Sequence, residues 1–328
     1  MNNAPAVPTD SPYPATAGER TRWILARRGP RRTLDPREPV GALVESEPSG
    51  DGGPVSVATV FLANRECPWH CLMCDLWQAT LAETVPEGAI LEQVRRALAG
   101  LPPARWIKLY NAGSFFDPRA IPRSEYMPVA REIARFDRVI VESHPALVGD
   151  DVLRLRDLLP GRLEVAMGLE TIHPGVLARL NKGMTLDDWE RAAERLAAAG
   201  VALRAFVLAG LPFLRDEEAQ DWTARSIAFA FDCGAEVVAV IPTRPGNGAL
   251  DALRVRGEFE PPLLAALEAA AAAGLESGRG RVLADLWDLE RFSSCSACFP
   301  VRRERLAAMN LSQSVLPKVA CVRCGGQA

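Results

Sequence analysis

Apolar residues along this chain gather in short unbroken runs set apart by longer stretches of helical periodicity. The runs span 55–63, 106–110, 138–142, 163–169, 201–208 and 236–241 and are rich in Val, Ile and Leu. Their length and near-continuous apolar character fit strands buried on both faces. Between them, 87–99, 124–135, 150–159, 186–199 and 216–233 repeat apolar positions at helical spacing. Six strands in βα alternation predict a parallel sheet with its sites at the carboxyl ends of the strands. The expected fold is α/β, a partial (βα)6 TIM-like barrel over 55–250. Residues 1–18, rich in Pro, Ala, Ser and Thr, read as a disordered tail, and 19–54 as a basic lead-in. Residues 251–328 read as a helical extension that ends in a small four-cysteine metal-binding unit.

Composition narrows the class without naming a chemistry. With 328 residues, 48% hydrophobic and 24% charged, the chain has the makeup of a globular protein, which excludes disordered, collagen-like and disulfide-scaffold classes. No stretch approaches the roughly 18 apolar residues of a membrane span. The Ala-rich segment 263–275 is short and carries Glu268. The first residues lack the basic start and apolar core of a signal peptide, so a reducing cytoplasm is the expected compartment and no membrane partner is expected. Lys plus Arg is 38 against 41 for Asp plus Glu, a net charge of -3. The whole surface is therefore not the basic footprint of an obligate nucleic-acid binder. The exception is the run Arg22, Arg27, Arg28, Arg31, Arg32 and Arg37, broken by Pro30 and Pro36, which reads either as a phosphate contact or as a solvated lead-in.

The cysteines change the picture. Seven of the eight fall into two tight groups, a spacing that buried apolar residues do not adopt. The first group, Cys67-Pro-Trp-His-Cys71-Leu-Met-Cys74, follows the 55–63 run directly. Three thiolates on such a loop can ligate three irons of a 4Fe-4S cluster and leave the fourth iron open for a ligand. A structural zinc would need a fourth donor, and the only nearby one, His70, lies inside the loop. The second group is Cys295-Ser-Ala-Cys298 and Cys321-Val-Arg-Cys324. Two paired knuckles of this kind close a four-thiolate site that suits zinc or a second 4Fe-4S cluster. Cys233 stands alone and reads as a buried apolar thiol.

The arrangement Cys67-x3-Cys71-x2-Cys74 after the first strand, with Met73 before the last cysteine, resembles the signature of the radical S-adenosylmethionine (SAM) superfamily. That resemblance implies a 4Fe-4S cluster on the three cysteines and S-adenosylmethionine on the open iron. Reductive cleavage to a 5′-deoxyadenosyl radical that abstracts hydrogen from a substrate would follow, with a reductant such as ferredoxin or flavodoxin as partner. It also implies cofactor contacts at the strand ends: Met73 on the loop, Asn111, Gly113 and Ser114 after the second strand, and Glu170 after the fourth. Arg204 on the fifth strand would face the cofactor carboxylate, with Gly210 and Pro212 at its end beside adenine. Glu142 and His144 end the third strand and read either as substrate contacts or as a capped strand end, and His173 reads as structural.

A narrower likeness rests on the block 109–122, on Gly168-Leu-Glu-Thr171 and on Leu180-Asn-Lys-Gly183. It resembles the radical SAM subunit of archaeosine synthase and its bacterial relatives, in the wider group of Elongator and methylthiotransferase enzymes. The implied function is tRNA nucleoside modification, with tRNA as partner and a partner enzyme that supplies a lysine adduct on a deazaguanine base. Two other readings stay open at this point: a radical SAM enzyme acting on a small molecule or peptide, and a zinc-binding RNA or protein adaptor. Hydrogen abstraction by an adenosyl radical needs no general base, so no catalytic residue is assigned from sequence.

Overall fold

In the computed structural model, which describes residues 12–50 and 53–325, a single eight-stranded sheet runs through the molecule in sequence order. Its strands are β1 Gly41–Pro48, β2 Pro54–Leu62, β3 Trp106–Asn111, β4 Arg138–Ser143, β5 Arg162–Glu170, β6 Ala202–Ala209, β7 Val237–Pro242 and β8 Arg281–Ala284. β1 pairs antiparallel with β2, and every later pairing is parallel. The curled sheet does not close on itself, as expected of a partial barrel. The strand count is eight, not six. β1 lies in the stretch read as a lead-in and was hidden because it carries Glu45 and Glu47 where a buried strand shows apolar residues. β8 is four residues long, below the length at which a run stands out.

The helices are α1 Ala17–Leu25, α2 Ala89–Ala99, α3 Tyr126–Glu132, α4 Asp150–Leu158, α5 Pro174–Arg179, α6 Leu186–Ala198, α7 Asp216–Asp232, α8 Ala249–Val255, α9 Leu264–Glu276 and α10 Phe299–Ser312. None is long and apolar enough to cross a membrane. Strand periodicity sorts the side chains by face. Val60, Leu62, Ile107, Leu109, Val139 and Val141 point outward and form the main core with Ile90 and Val94 of α2, Val129 of α3, Leu155 of α4 and Trp189 of α6. α6 starts where the sequence instructs it to: the Thr185 hydroxyl accepts from the Asp188 N–H and the Asp188 carboxylate accepts from the Thr185 N–H, a reciprocal cap.

The part of the predicted tail that the structure describes, 12–18, is mostly exposed but anchored at Tyr13. The Tyr13 hydroxyl donates to the Arg179 carbonyl at 2.6 Å, and its ring meets Trp23 edge-on at 5.1 Å. Residues 1–11 of that expectation lie outside the described residues. The basic run is anchored as well. Arg28 and Arg31 both pair with Glu66, and Arg37 pairs with Glu92 at 2.7 Å.

On the concave face, the ends of the strands away from the cysteine loop are sealed by charge. Arg204, 2% exposed, donates through Nη1 and Nη2 to Glu47 at 2.9 and 2.7 Å and through Nε to Glu164 at 2.6 Å. Lys108 meets Glu45 at 2.7 Å and Glu47 at 2.5 Å, and Arg138 meets Glu164 at 2.5 Å. This overturns the expectation that Arg204 faces a cofactor carboxylate. The residue sits near the start of β6, opposite Val237, and its donors are committed to two carboxylates of the chain itself. Burial alone would raise the Glu47 and Glu164 pKa values, but the adjacent Arg204, with Lys108 on Glu47 and Arg138 on Glu164, holds both below the usual carboxylate range.

Removing the guanidinium leaves two buried carboxylates without it, so Arg204→Met should lose about 3–5 kcal/mol, read as a lower urea midpoint at pH 7. A depressed carboxylate stabilises the fold above its ordinary pKa and loses that contribution as pH falls, whereas in the variant Glu47 keeps only Lys108 and Glu164 only Arg138, so both are held down less and gain by protonation at a higher pH. The gap between wild type and variant should therefore narrow from pH 7 to pH 4. A gap that stays constant would mean that the ion layer does not set it.

Candidate functional site

The other end of the sheet is built around the loop that leaves β2. Cys67, Cys71 and Cys74 are all partly buried on it, and the loop is held from several directions. The Leu72 N–H donates to the Leu180 carbonyl at 2.8 Å. Asn181 Nδ2 donates to the His70 carbonyl at 3.0 Å, and Asn247 Nδ2 to the Leu72 and Cys74 carbonyls at 2.7 and 3.3 Å. Trp69 stacks on His144, ring centroids 3.6 Å apart, and a methyl on Gly183, whose φ is +73°, would meet that indole at 2.8 Å. His144 is fixed at both ring nitrogens: Nδ1 accepts from the Ala146 N–H at 3.2 Å and Nε2 lies 3.0 Å from the Lys182 carbonyl. Burial, aided by Lys182, pushes its pKa down to about 4. A neutral Nε2–H tautomer satisfies both partners. The residue is a strut of the cysteine loop, which answers its open reading.

Burial raises the three thiols, Cys67 to about 11 and Cys71 and Cys74 to about 12. Binding of metal must therefore drive off their protons. Among the described residues, the one group of three or more metal-donor side chains with ligand atoms all within 4.8 Å of one another is Cys295, Cys298, Cys321 and Cys324. A single tetrahedral zinc with bonds of about 2.3 Å holds its sulfurs about 3.8 Å apart. A four-iron cube instead takes its thiolates on separate irons.

The strand ends beside the loop supply the fit for a ligand. Asn111, at the end of β3, is 4% exposed, and neither its side-chain oxygen nor its nitrogen has a partner. Such a buried carboxamide is costly unless a ligand completes it. Gly113 has φ +142°, and a methyl there would lie 3.1 Å from Cys67 Cβ, so only glycine lets this turn close on the cysteine. Ser114 is different: its hydroxyl sits 3.1 Å from the Ser143 hydroxyl and accepts from the Phe116 N–H at 3.2 Å, so it braces the turn. Glu170 ends β5 at φ +64° and takes the Lys182 ammonium at 2.6 Å. Gly168 leaves the room for that pair, since a methyl there would collide with both charged groups. Met73 is half-buried against the cluster that contains Leu72 and Val176. Gly210, at φ +76°, uses its missing side chain on the Pro262 ring, which a methyl would meet at 2.5 Å, and Pro212 is buried beyond it. The close approach at Gly210 is thus taken by the chain itself.

Lys182 is the residue that sequence reasoning passed over. It lies in the Leu180–Gly183 stretch, noticed only as part of a likeness. Burial opposes its charge, but Glu170 and the Cys71 and Cys67 thiols outweigh that and raise its pKa. An ammonium is thereby kept beside the cysteine loop. The available signal was that the chain has three lysines in 328 residues, two of which are buried ion-pair partners.

The second cysteine group folds as the spacing predicts. Cys295 and Cys321 sulfurs are 4.0 Å apart, and those of Cys298 and Cys324 are 3.8 Å apart. Backbone N–H groups of Cys298 and Ala297 hold the Cys295 thiol down to about 7, and those of Arg323 and Cys324 lower Cys321. The four donors can bind a metal. Arg302 and Arg305 pair with Glu268 of α9 at 2.7 and 3.4 Å and tie the unit to the barrel.

No family model matches the chain. It is 26% identical over 227 residues to archaeosine synthase subunit beta of Methanosarcina acetivorans, covering 65% of each chain. Over 226 residues it is 26% identical to the subunit of the same name from Thermococcus kodakarensis, covering 66% of this chain and 69% of that one. The chain thus spans about two thirds of the length of these relatives. Among solved structures, Elp3 of Methanocaldococcus infernus superposes with TM-score 0.49 and 16% identity over 72% of this chain and 60% of that one. Methylornithine synthase PylB does so with 0.48 and 13% over 80% and 84%. With three cysteines on the loop after the first parallel strand and the two archaeosine synthase subunits as relatives, the chain resembles the radical S-adenosylmethionine superfamily and, within it, the beta subunit of archaeosine synthase.

Proposed function

We propose that the protein is a radical SAM enzyme that modifies a nucleoside in tRNA. The observation that carries the radical SAM part is the loop of Cys67, Cys71 and Cys74, clamped by Leu180, Asn181 and Asn247, with the turn after β3 closing on Cys67 at Gly113. When bound, a reduced 4Fe-4S cluster and S-adenosylmethionine supply a 5′-deoxyadenosyl radical for hydrogen abstraction. The three thiolates would hold the cluster. Asn111 would meet the amino-acid end of S-adenosylmethionine, and Lys182, released in part from Glu170, would meet its carboxylate. Met73 would lie along its apolar part. A ferredoxin or flavodoxin would deliver the electron.

The substrate part rests on the relatives named archaeosine synthase subunit beta. By that likeness the substrate is a lysine adduct on a deazaguanine base of tRNA, presented by a partner enzyme. For the C-terminal unit we propose zinc, on the 3.8 and 4.0 Å sulfur separations, which match a single tetrahedral ion.

Anaerobic reconstitution should load about four irons on the loop cysteines, and dithionite with S-adenosylmethionine should yield 5′-deoxyadenosine, none of it from Cys71→Ala. A fully loaded protein that makes none would overturn the enzyme reading. Loss of one charged contact predicts that Lys182→Met raises the Kd for S-adenosylmethionine about tenfold, checked by equilibrium dialysis. Metal analysis of a variant with all three loop cysteines changed to Ala should still find one zinc per chain, and Cys295→Ser with Cys298→Ser should remove it. Iron in place of zinc in the loop variant would reverse the assignment.

A further inference from the structure

The segment from Tyr13 to Arg32, which lies ahead of β1, reaches the cysteine loop at each of its parts. Before Cys67, Glu66 takes the guanidinium groups of both Arg28 and Arg31. Between Cys67 and Cys71, the His70 carbonyl accepts from Asn181 Nδ2 at 3.0 Å. That same nitrogen donates to the Thr21 hydroxyl at 3.0 Å, and Asn181 Oδ1 accepts from Arg20 Nε at 3.5 Å. Between Cys71 and Cys74, Leu72 belongs to one apolar cluster with Trp23 and Ile24 of α1, and Met73 packs on it. After Cys74, the Arg28 guanidinium lies over the Trp77 ring at 4.9 Å. The Arg32 N–H donates to the Gln78 carbonyl at 2.8 Å, and Arg31 Nη1 to the Leu81 carbonyl at 3.5 Å.

These contacts form two tiers. Asn181 and Asn247 grip the loop backbone, and the segment stands behind both. Asn181 has φ +56°, a left-handed backbone that asparagine tolerates. Its carboxamide has three hydrogen-bond partners, and α1 supplies two of them. Gly248, next to Asn247, has φ +81°, and a methyl there would collide with the Arg27 carbonyl. Only glycine lets the chain after α1 pass so close. Trp23 and Ile24 are 1% and 2% exposed, so burial of apolar surface seats the helix. A segment docked in this way, outside the ladder of the sheet, can open by itself while the barrel stays folded.

We propose that residues 13–32 act as a strap that positions the cysteine loop and sets how readily reagents reach its three thiols, with Thr21 and Arg28 as the positioning residues. What the thiols hold is taken from the reading above; the strap itself is built from contacts of this chain. Thr21 aims the carboxamide that holds the His70 carbonyl. Arg28 ties the two ends of the loop together, since it pairs with Glu66 before Cys67 and lies over Trp77 after Cys74. Entry of iron to the loop, and attack on its thiols, are then governed by local opening of this segment and not by unfolding of the barrel.

Alkylation of the cluster-free full chain by iodoacetamide, followed residue by residue by mass spectrometry, tests this. Cys233, the C-cap of α7, and the four C-terminal cysteines serve as the control within the same molecule. Thr21→Val and Arg28→Met should each raise the rates at Cys67, Cys71 and Cys74 about tenfold and leave the control cysteines unchanged. Thr21→Ser, which keeps the hydroxyl, should stay within about threefold of wild type. After reconstitution, the Val and Met variants should also release iron to EDTA about tenfold faster than wild type. Loop cysteines that react at the wild-type rate in either variant, loop and control cysteines that rise together, a Ser variant as reactive as the Val variant, or iron released at the wild-type rate would each overturn the proposal. The expected alkylation pattern in a wild-type chain that loads no iron would uphold the strap and overturn the cluster reading.

Discussion

A guanidinium enclosed within a protein must be neutralised where it stands, and Arg204 is neutralised by carboxylates from two strands distant in sequence, Glu47 of β1 and Glu164 of β5. That requirement organises the rest of the molecule. It gives β1 a reason to add to the sheet antiparallel, since its register brings Glu45 and Glu47 over Lys108 and Arg204. It fills the lower half of the concave face with ion pairs, so that a ligand has room only above them. Because a buried ion pair adds little net stability over an apolar filling, its value here is positional: it fixes which strand lies where and how deep the open half of the sheet can be.

The upper half is organised by a different constraint. Three thiols on one loop, if they are to hold one group, must be aimed together without a regular element to hold them. The chain meets this with contacts to the loop's own backbone carbonyls and amides from Leu180, Asn181 and Asn247, and with the Trp69–His144 stack. The side chains around the loop divide by whether their polar atoms are spoken for. Ser114 and His144 are fully engaged and brace the scaffold, Glu170 and Lys182 satisfy each other, and Asn111 is left with an open carboxamide.

Legibility of the sequence followed the range of the interactions. The cysteine groups stand out because their members lie close in sequence. The six central strands could be read because apolar residues dominate each run, and the α6 cap because its partners are three residues apart. What could not be read was set by pairings across the fold. Arg204 looked like a cofactor contact because nothing near it in sequence shows that Glu47, 157 residues away, already holds it. β1 escaped for the complementary reason, its inward positions being acidic. Lys182 gained meaning only when β5 and the loop after α5 placed it on Glu170. Gly210 kept its positive φ, but the surface that approaches it belongs to Pro262.

The clamp on the cysteine loop also bears on how the protein is made. Asn181 and Asn247 reach back 111 and 175 residues to grip the loop's carbonyls. At ribosomal rates of about 5–20 residues per second, the loop emerges many seconds before the residues that shape it. A nascent chain therefore shows three unsupported thiols before it can present them as a site. On the proposed function, a cluster would be delivered after synthesis of the whole sheet, and until then the chain depends on a reducing environment, or on a carrier, to keep those thiols from reacting with one another.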